Sequence, residues 1–259
     1  MKNLEKLSLL NISKSFFIKD KKIDVLNDVN LDVSPGEFVS IIGPSGCGKS
    51  TLLKLIIGLS SQTAGSILLG GHELQYSTHD IGIVFQEARL FPWLSVYKNI
   101  TFGLENKQLS EDDKNDVQKH IKLVGLESFA DAYPSQLSGG MQQRVSIARA
   151  LISHPKVLLL DEPFGALDAI TRIHMQQEIT RIWQTEKSTI LLVTHDIDEA
   201  IFLSDRVIVM SNRPATIKKI IPVELPRPRD RNGYDFLLLR KKIYKEFFDE
   251  IEIPFSFNI

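Results

Sequence analysis

The chain has 259 residues and a formal net charge of −1; the length suffices for a large core, as one large domain or two small ones, and the charge balance excludes a chain-wide affinity for nucleic acid. No apolar run approaches the roughly 20 residues that cross a bilayer, and the opening residues lack the basic-then-apolar layout of a secretory signal. Cys47 is the lone cysteine, so an internal disulfide is excluded and a reducing compartment fits.

The N-terminal third reads as strand-rich. Residues 7–12 and 25–33 are β-like, and Ser34-Pro35-Gly36 marks a turn between strands. Residues 37–42 form a short apolar strand, and a helix over 52–58 is stopped by Gly58. Residues 65–69 and 81–85 read as further strands, separated at Gly70-Gly71. From 110 to 150 the chain is charged and rich in helix formers, broken at Gly125 and Pro134, which predicts a helical insert. Strand and helix then alternate. Residues 157–160 and 189–193 are continuous apolar runs, as expected of strands covered on both faces. Between them Met175, Ile179 and Ile182 follow the spacing of one helix face. Residues 206–210 form another strand, Pro222, Pro226 and Pro228 mark an extended segment, and an amphipathic helix over 236–250 closes the chain.

The most specific signal lies between the strand at 37–42 and the helix after it. Gly43-Pro44-Ser45-Gly46-Cys47-Gly48-Lys49-Ser50-Thr51 has the form G-x-x-x-x-G-K-[ST]. Its glycines let the backbone fold around a polyphosphate, with successive N–H groups inward and a helix N-terminus behind them. Lys49 is placed to reach the β- and γ-phosphates, and the Ser50 hydroxyl to ligate Mg²⁺. The Cys47 thiol has no such task; its backbone N–H does, so alkylation of Cys47 is expected to block the nest.

The strand at 157–160 ends in Asp161-Glu162, two carboxylates suited to holding Mg²⁺ and to orienting an attacking water. Leu137-Ser138-Gly139-Gly140-Met141-Gln142-Gln143-Arg144 reads as a capped helix start with free N–H groups, a second anion site.

The phosphate loop, this LSGGMQQR stretch, the LLLDEPFGALD stretch over 158–168 and Thr194-His195-Asp196 stand in that order. Together they resemble the nucleotide-binding subunit of ABC transporters, over roughly residues 4–225. The stretches at 84–94 and 194–200 are similar to the nitrate/sulfonate/taurine importer ATPases. The resemblance implies roles at matching positions. Phe16 matches the aromatic that stacks on adenine, with Phe17 the alternative beside it. Gln86 matches the residue that touches Mg²⁺ or the lytic water and relays nucleotide state. His195 matches the histidine that contacts the γ-phosphate and steadies Glu162, the catalytic carboxylate. Ser138, Gly139 and Gly140 match contacts to ATP on a second subunit, and Asp168 the residue coupling the two sites.

The implied fold is α/β: a phosphate-loop ATPase core with a mostly parallel sheet, an antiparallel β subdomain and an inserted helical subdomain at about 88–150. The implied domains are an ATPase domain over 1–230 and a short helical extension over 231–259. The implied function is ATP hydrolysis, with ATP and Mg²⁺, by a homodimer that powers integral membrane permease subunits and serves, indirectly, a solute-binding protein. Its implied location is peripheral, on the cytoplasmic face of the cell membrane, and no nucleic acid partner is expected. The permease is expected to dock near 86–102, where Leu90, Phe91, Trp93, Leu94 and Val96 crowd a loop-like stretch. A soluble ABC ATPase or an exporter subunit is the alternative.

Overall fold

The computed structural model describes residues 5–19, 21–74, 78–104 and 108–247. Among them the chain forms two sheets. The smaller is antiparallel and contains β1 (Leu7–Ile18), β2 (Lys21–Val33), β4 (Ala64–Leu69) and β5 (His72–Glu73), in the order β2-β1-β4-β5. The larger contains β3 (Phe38–Ile42), β6 (Ile81–Val84), β7 (Val157–Asp161), β8 (Thr189–Val193), β9 (Arg206–Met210) and β10 (Ile217–Pro222). Its order is β10-β9-β3-β8-β7-β6, all parallel except β10 on β9.

The continuous apolar runs explain the larger sheet. In β8, Leu191 and Val193 pack toward one core cluster and Ile190 and Leu192 toward another. In β7, Val157 and Leu159 alternate in the same way with Leu158 and Leu160. A period of two in an unbroken apolar run buries both faces. One face carries α1 (Lys49–Ile56) and the antiparallel sheet; the other carries α2 (Val96–Thr101), α4 (Gly139–Leu151) and α5 (Ala169–Glu186). Between α2 and α4 lies α3 (Glu111–Leu123), whose Ser110 and Asp113 form a capping box. A third cluster joins β9 and β10 to α6 (Ile197–Leu203) and α7 (Tyr234–Tyr244), through Val207, Val209, Ile221, Phe236 and Ile243. Buried Arg229 fastens this end, donating to the carbonyls of Ile201 at 2.6 Å and Ser204 at 2.7 Å. Burial lowers its pKa to about 10, so it stays charged at neutral pH.

Several elements differ from the sequence reading. β1 continues to Ile18 and pairs with β2 as a long hairpin whose register shifts between Leu9 and Ser15. Those shifts disrupt the alternation that the pattern relied on. β5 and β10 were not expected: β5 is two residues long, and β10 carries Lys218 and Lys219 on a sheet edge. The first helix starts earlier, at Lys49, inside the phosphate loop. The last helix is Tyr234–Tyr244; residues 248–250 of the expected span lie outside the described residues.

Candidate active site

The strand order builds the site. β8 lies between β3 and β7, so the loops that follow these three parallel strands leave side by side at one sheet edge. The phosphate loop follows β3, Glu162 follows β7 and His195 follows β8. Open α/β sheets bind ligands at the carboxyl ends of their strands, where neighbouring crossovers diverge. Here a cleft of about 490 Å³ is lined by Ser45, Gly46, Gly48, Lys49, Ser50, Thr51, Gln86, Glu162, His195 and Arg213.

Local chemistry fixes the loop. Gly48 has φ of 125°, and a Cβ there would meet Leu26 Cδ2 and Val25 Cγ1 at 2.9 Å, so a side chain is excluded by both backbone and neighbours. Lys49 is buried and its Nζ donates to the carbonyls of Gly43 at 2.8 Å and Pro44 at 3.0 Å. Ser50 Oγ donates to Asp161 Oδ1 at 2.9 Å. Burial holds the Asp161 carboxyl above its ordinary range; the Ser50 hydrogen bond opposes that, and the Glu162 charge adds to it. Cys47 is 2% exposed and packs beneath the loop in the core. Its thiol therefore does not face the cleft, and bulk on it requires the loop to open first.

Glu162 is the meeting point of three loops. Its backbone N–H donates to Val193 O at 2.9 Å, and its φ of 47° lies in the left-handed region. For a glutamate that conformation costs on the order of 1–3 kcal/mol and persists because the surroundings hold it. Gln86 Nε2 donates to Glu162 Oε2 at 3.1 Å, and His195 Nδ1 lies 3.3 Å from the same oxygen. The His195 ring remains largely exposed, toward the cleft that both residues line.

The Gln86 loop is held from α4. Buried Gln143 donates to Phe85 O at 2.9 Å, and Arg149 donates to the carbonyls of Ala88 at 3.1 Å and Arg89 at 3.0 Å. Burial lowers the Arg149 pKa. These braces and Arg213 were missed by sequence reasoning. Gln143 was visible inside the LSGGMQQR stretch; Arg213 had no signal, because the turn that carries it leads into the unexpected β10.

The remaining sequence-predicted residues lie elsewhere. Ser138 caps α4 through Met141 N–H at 3.3 Å, and Ser138 and Gly139 are exposed. A Cβ on Gly140 would meet Leu167 Cδ2 at 3.3 Å and Ala166 O at 3.5 Å, so the α4 start lies against the loop leading to Asp168. Asp168 caps α5 through Thr171 N–H at 3.0 Å, and this backbone hydrogen bond lowers its pKa. These residues do not line the 490 Å³ cleft. Phe16 and Phe17 are both exposed at the end of β1, Phe17 at 74%, and Lys14 Nζ lies 4.8 Å over the Phe16 ring. Neither is a core residue, and neither lines that cleft.

Comparison with known proteins agrees with this geometry. The model of the ABC transporter family matches residues 26–165. An uncharacterised ABC transporter ATP-binding protein of Methanocaldococcus jannaschii is 50% identical over 95% of this chain and 92% of its own length. The aliphatic sulfonates import ATP-binding protein SsuB of Bacillus licheniformis is 48% identical over 97% of each chain. A dimeric post-hydrolysis ATP-binding cassette bound to ADP and Pi superposes with a TM-score of 0.76 at 33% identity, over 85% of this chain and 100% of that one. A phosphate loop, a strand-end Asp-Glu pair and a strand-end histidine converge on one cleft, in a chain this similar to ATP-binding cassettes. The chain therefore belongs to the ABC transporter family and is an ATP-hydrolysing subunit of it.

Proposed function

We propose that this ATPase drives import of a sulfonate-type solute, as a head-to-tail homodimer beneath separate permease subunits on the cytoplasmic face of the membrane. The observation that carries the solute class is the 48% identity, over 97% of the chain, to a protein named for aliphatic sulfonates import. No helix among the described residues is long and apolar enough to cross a membrane; the permease is a second protein, fed by a solute-binding protein. Residues 1–230 act as the ATPase domain, with the helical subdomain at about 88–150, and 231–259 as its extension.

In this reading the loop N–H groups and Lys49 bind the triphosphate. Ser50 and Asp161, with Gln86, hold Mg²⁺. The Ser50 hydroxyl and the Asp161 carboxylate, 2.9 Å apart, are oxygen donors that would suit a hard cation. Mg²⁺ supplies neutralisation of phosphate charge. Glu162 draws a proton from the attacking water, while His195 steadies Glu162 and faces the γ-phosphate. Catalysis is then mostly positioning and charge stabilisation. Ser138, Gly139 and Gly140 of one copy complete the nucleotide site of the other, with Asp168 beside them. Ser138, Gly139 and Asp168 are exposed and Gly140 partly so, and they lie outside this copy's cleft, which supports that arrangement. Phe16, or Phe17, stacks on the adenine.

The permease docks on the segment after Gln86. Val96 is buried and Leu90 packs on the core, whereas Trp93 is 69% exposed and Phe102 62%. Phe91 gathers both rings, at 5.6 Å from Trp93 and 4.4 Å from Phe102. Such aromatic exposure suits a protein contact.

The test is reconstitution of the chain with its co-purified permease in proteoliposomes. Binding protein loaded with an alkanesulfonate should stimulate ATPase activity. Stimulation by nitrate and not by sulfonates would move the solute class. A chain that co-purifies with no membrane protein would favour the soluble ATPase.

A further inference from the structure

The cleft contains a cation that lies outside every motif of the chain. The turn between β9 and β10 carries Arg213, whose Nη2 donates to Gly46 O in the middle of the phosphate loop. The guanidinium also lines the cleft, beside Ser45, Gly46 and Lys49.

The turn is fastened at its base. Ser211 N–H donates to Thr216 O at 3.0 Å, and Thr216 N–H to Ser211 Oγ at 3.0 Å. Buried Ala215 is bonded on both sides to β2: its N–H donates to Val25 O at 2.9 Å, and its carbonyl accepts from Asn27 N–H at 3.0 Å. Arg213 thus projects from an anchored loop, which lowers the entropy lost when its head group is ordered.

We infer that Arg213 is an additional phosphate-binding residue, contributed to the nucleotide's polyphosphate from outside the phosphate loop. Three physical points carry this. First, the ammonium of Lys49 has three donors and spends two of them on the carbonyls of Gly43 and Pro44. A second cation answers the charge of a polyphosphate that must also lie near Glu162. Second, a guanidinium has about five donors in a fixed fork, so the bond to Gly46 O leaves others for phosphate oxygens. Third, a carbonyl that accepts from a cation polarises its own peptide unit. The peptide of Gly46 O carries the Cys47 N–H, which donates to Pro44 O at 3.2 Å within the loop, so Arg213 strengthens this turn of the loop even before it touches phosphate.

This inference rests on the reading of the loop as the nucleotide site. The test is calorimetric titration of the full chain with ATP and with ADP, at two salt concentrations, for wild type, Arg213→Ala, Arg213→Lys and Lys49→Ala. Arg213→Ala should weaken ATP and ADP at least threefold and flatten the salt dependence of binding. Arg213→Lys should recover part of the affinity, because it keeps the charge but loses the fork. A loss below threefold for ATP overturns the inference, as does a lower melting temperature with unchanged affinity, the mark of a purely structural brace. If Arg213→Ala does not fold, Arg213→Gln against Arg213→Lys decides by the same threefold margin. Lys49→Ala separates the two readings: if it binds ATP as tightly as wild type, the nucleotide-site reading fails, whatever Arg213 does.

Discussion

Glu162 receives a hydrogen bond from Gln86, lies against His195 and is held in a left-handed backbone conformation at the end of β7. Glu162→Gln keeps the shape and can still accept from Gln86, but it cannot take a proton. ATP hydrolysis is expected to fall by roughly 10²–10⁴-fold, with nucleotide binding retained, as read by phosphate release and equilibrium titration. Wild-type turnover would remove Glu162 from the chemistry. Glu199 is a second carboxylate, buried behind the site and accepting from Gln176 Nε2 at 2.8 Å. Burial holds its carboxyl above the ordinary value of 4.5, against opposing hydrogen bonds from Thr194 and Gln176. With its folded-state pKa raised, the folded protein binds this proton more tightly than the unfolded chain. Its contribution to stability therefore improves as pH falls through the folded pKa toward 4.5, and is least favourable above that pKa. Glu199→Gln should flatten this slope, being most stabilising relative to wild type at neutral pH and losing that advantage near pH 4.5. Melting curves over a pH series read the difference; an offset that is constant across pH would show that Glu199 titrates alike in both states.

At the scale of elements, one side chain organises the second half of the loop from Gln86 to α2. Buried Asn99 accepts from Phe91 N–H at 2.9 Å and donates to the carbonyls of Phe91 at 3.2 Å, Leu94 at 2.8 Å and Ser95 at 3.1 Å. It converts an irregular stretch into a fixed platform for Phe91 and Trp93. Asn99→Ala takes the side-chain partner from Phe91 N–H and Leu94 O and should cost about 1–3 kcal/mol in denaturant unfolding. It should also open residues 90–95 to limited proteolysis. Unchanged stability with unchanged protection would mean that water replaces the carboxamide. The same loop is tied by Gln143 and Arg149 to α4, the helix that begins at Ser138. The Gln86 loop is thus connected through α4 to the helix start at Ser138.

For the whole molecule, the proposed dimer makes a discriminating prediction. Glu162→Gln should accumulate as an ATP-bound dimer, because binding survives and hydrolysis, which reopens it, does not. Lys49→Ala should remain monomeric with ATP, because the nucleotide that joins the copies is not held. Light scattering with and without ATP separates these outcomes. An ATP-bound Glu162→Gln monomer would sink both the dimer and the assignment of Ser138, Gly139 and Gly140 to the opposing site.

The sequence by itself determined the family and the parallel strands of the central sheet, and it located the phosphate loop and the strand-end acids. Phosphate loops, strand-end acids and capped helix starts are local patterns, written in adjacent residues. The β8 bounds follow from an apolar run for the same reason. The antiparallel pieces were less legible. β1 has register shifts that disturb its period, while β5 and β10 owe their pairing to neighbours rather than to their own pattern. Tertiary structure decided what depends on distance through space. It brought Gln86 and His195 onto one oxygen of Glu162, turned the Cys47 thiol under the loop, and laid Arg213 over Gly46 across 167 residues of sequence. The physical reason is the strand order: with β8 between β3 and β7, residues far apart in sequence leave the sheet as neighbours.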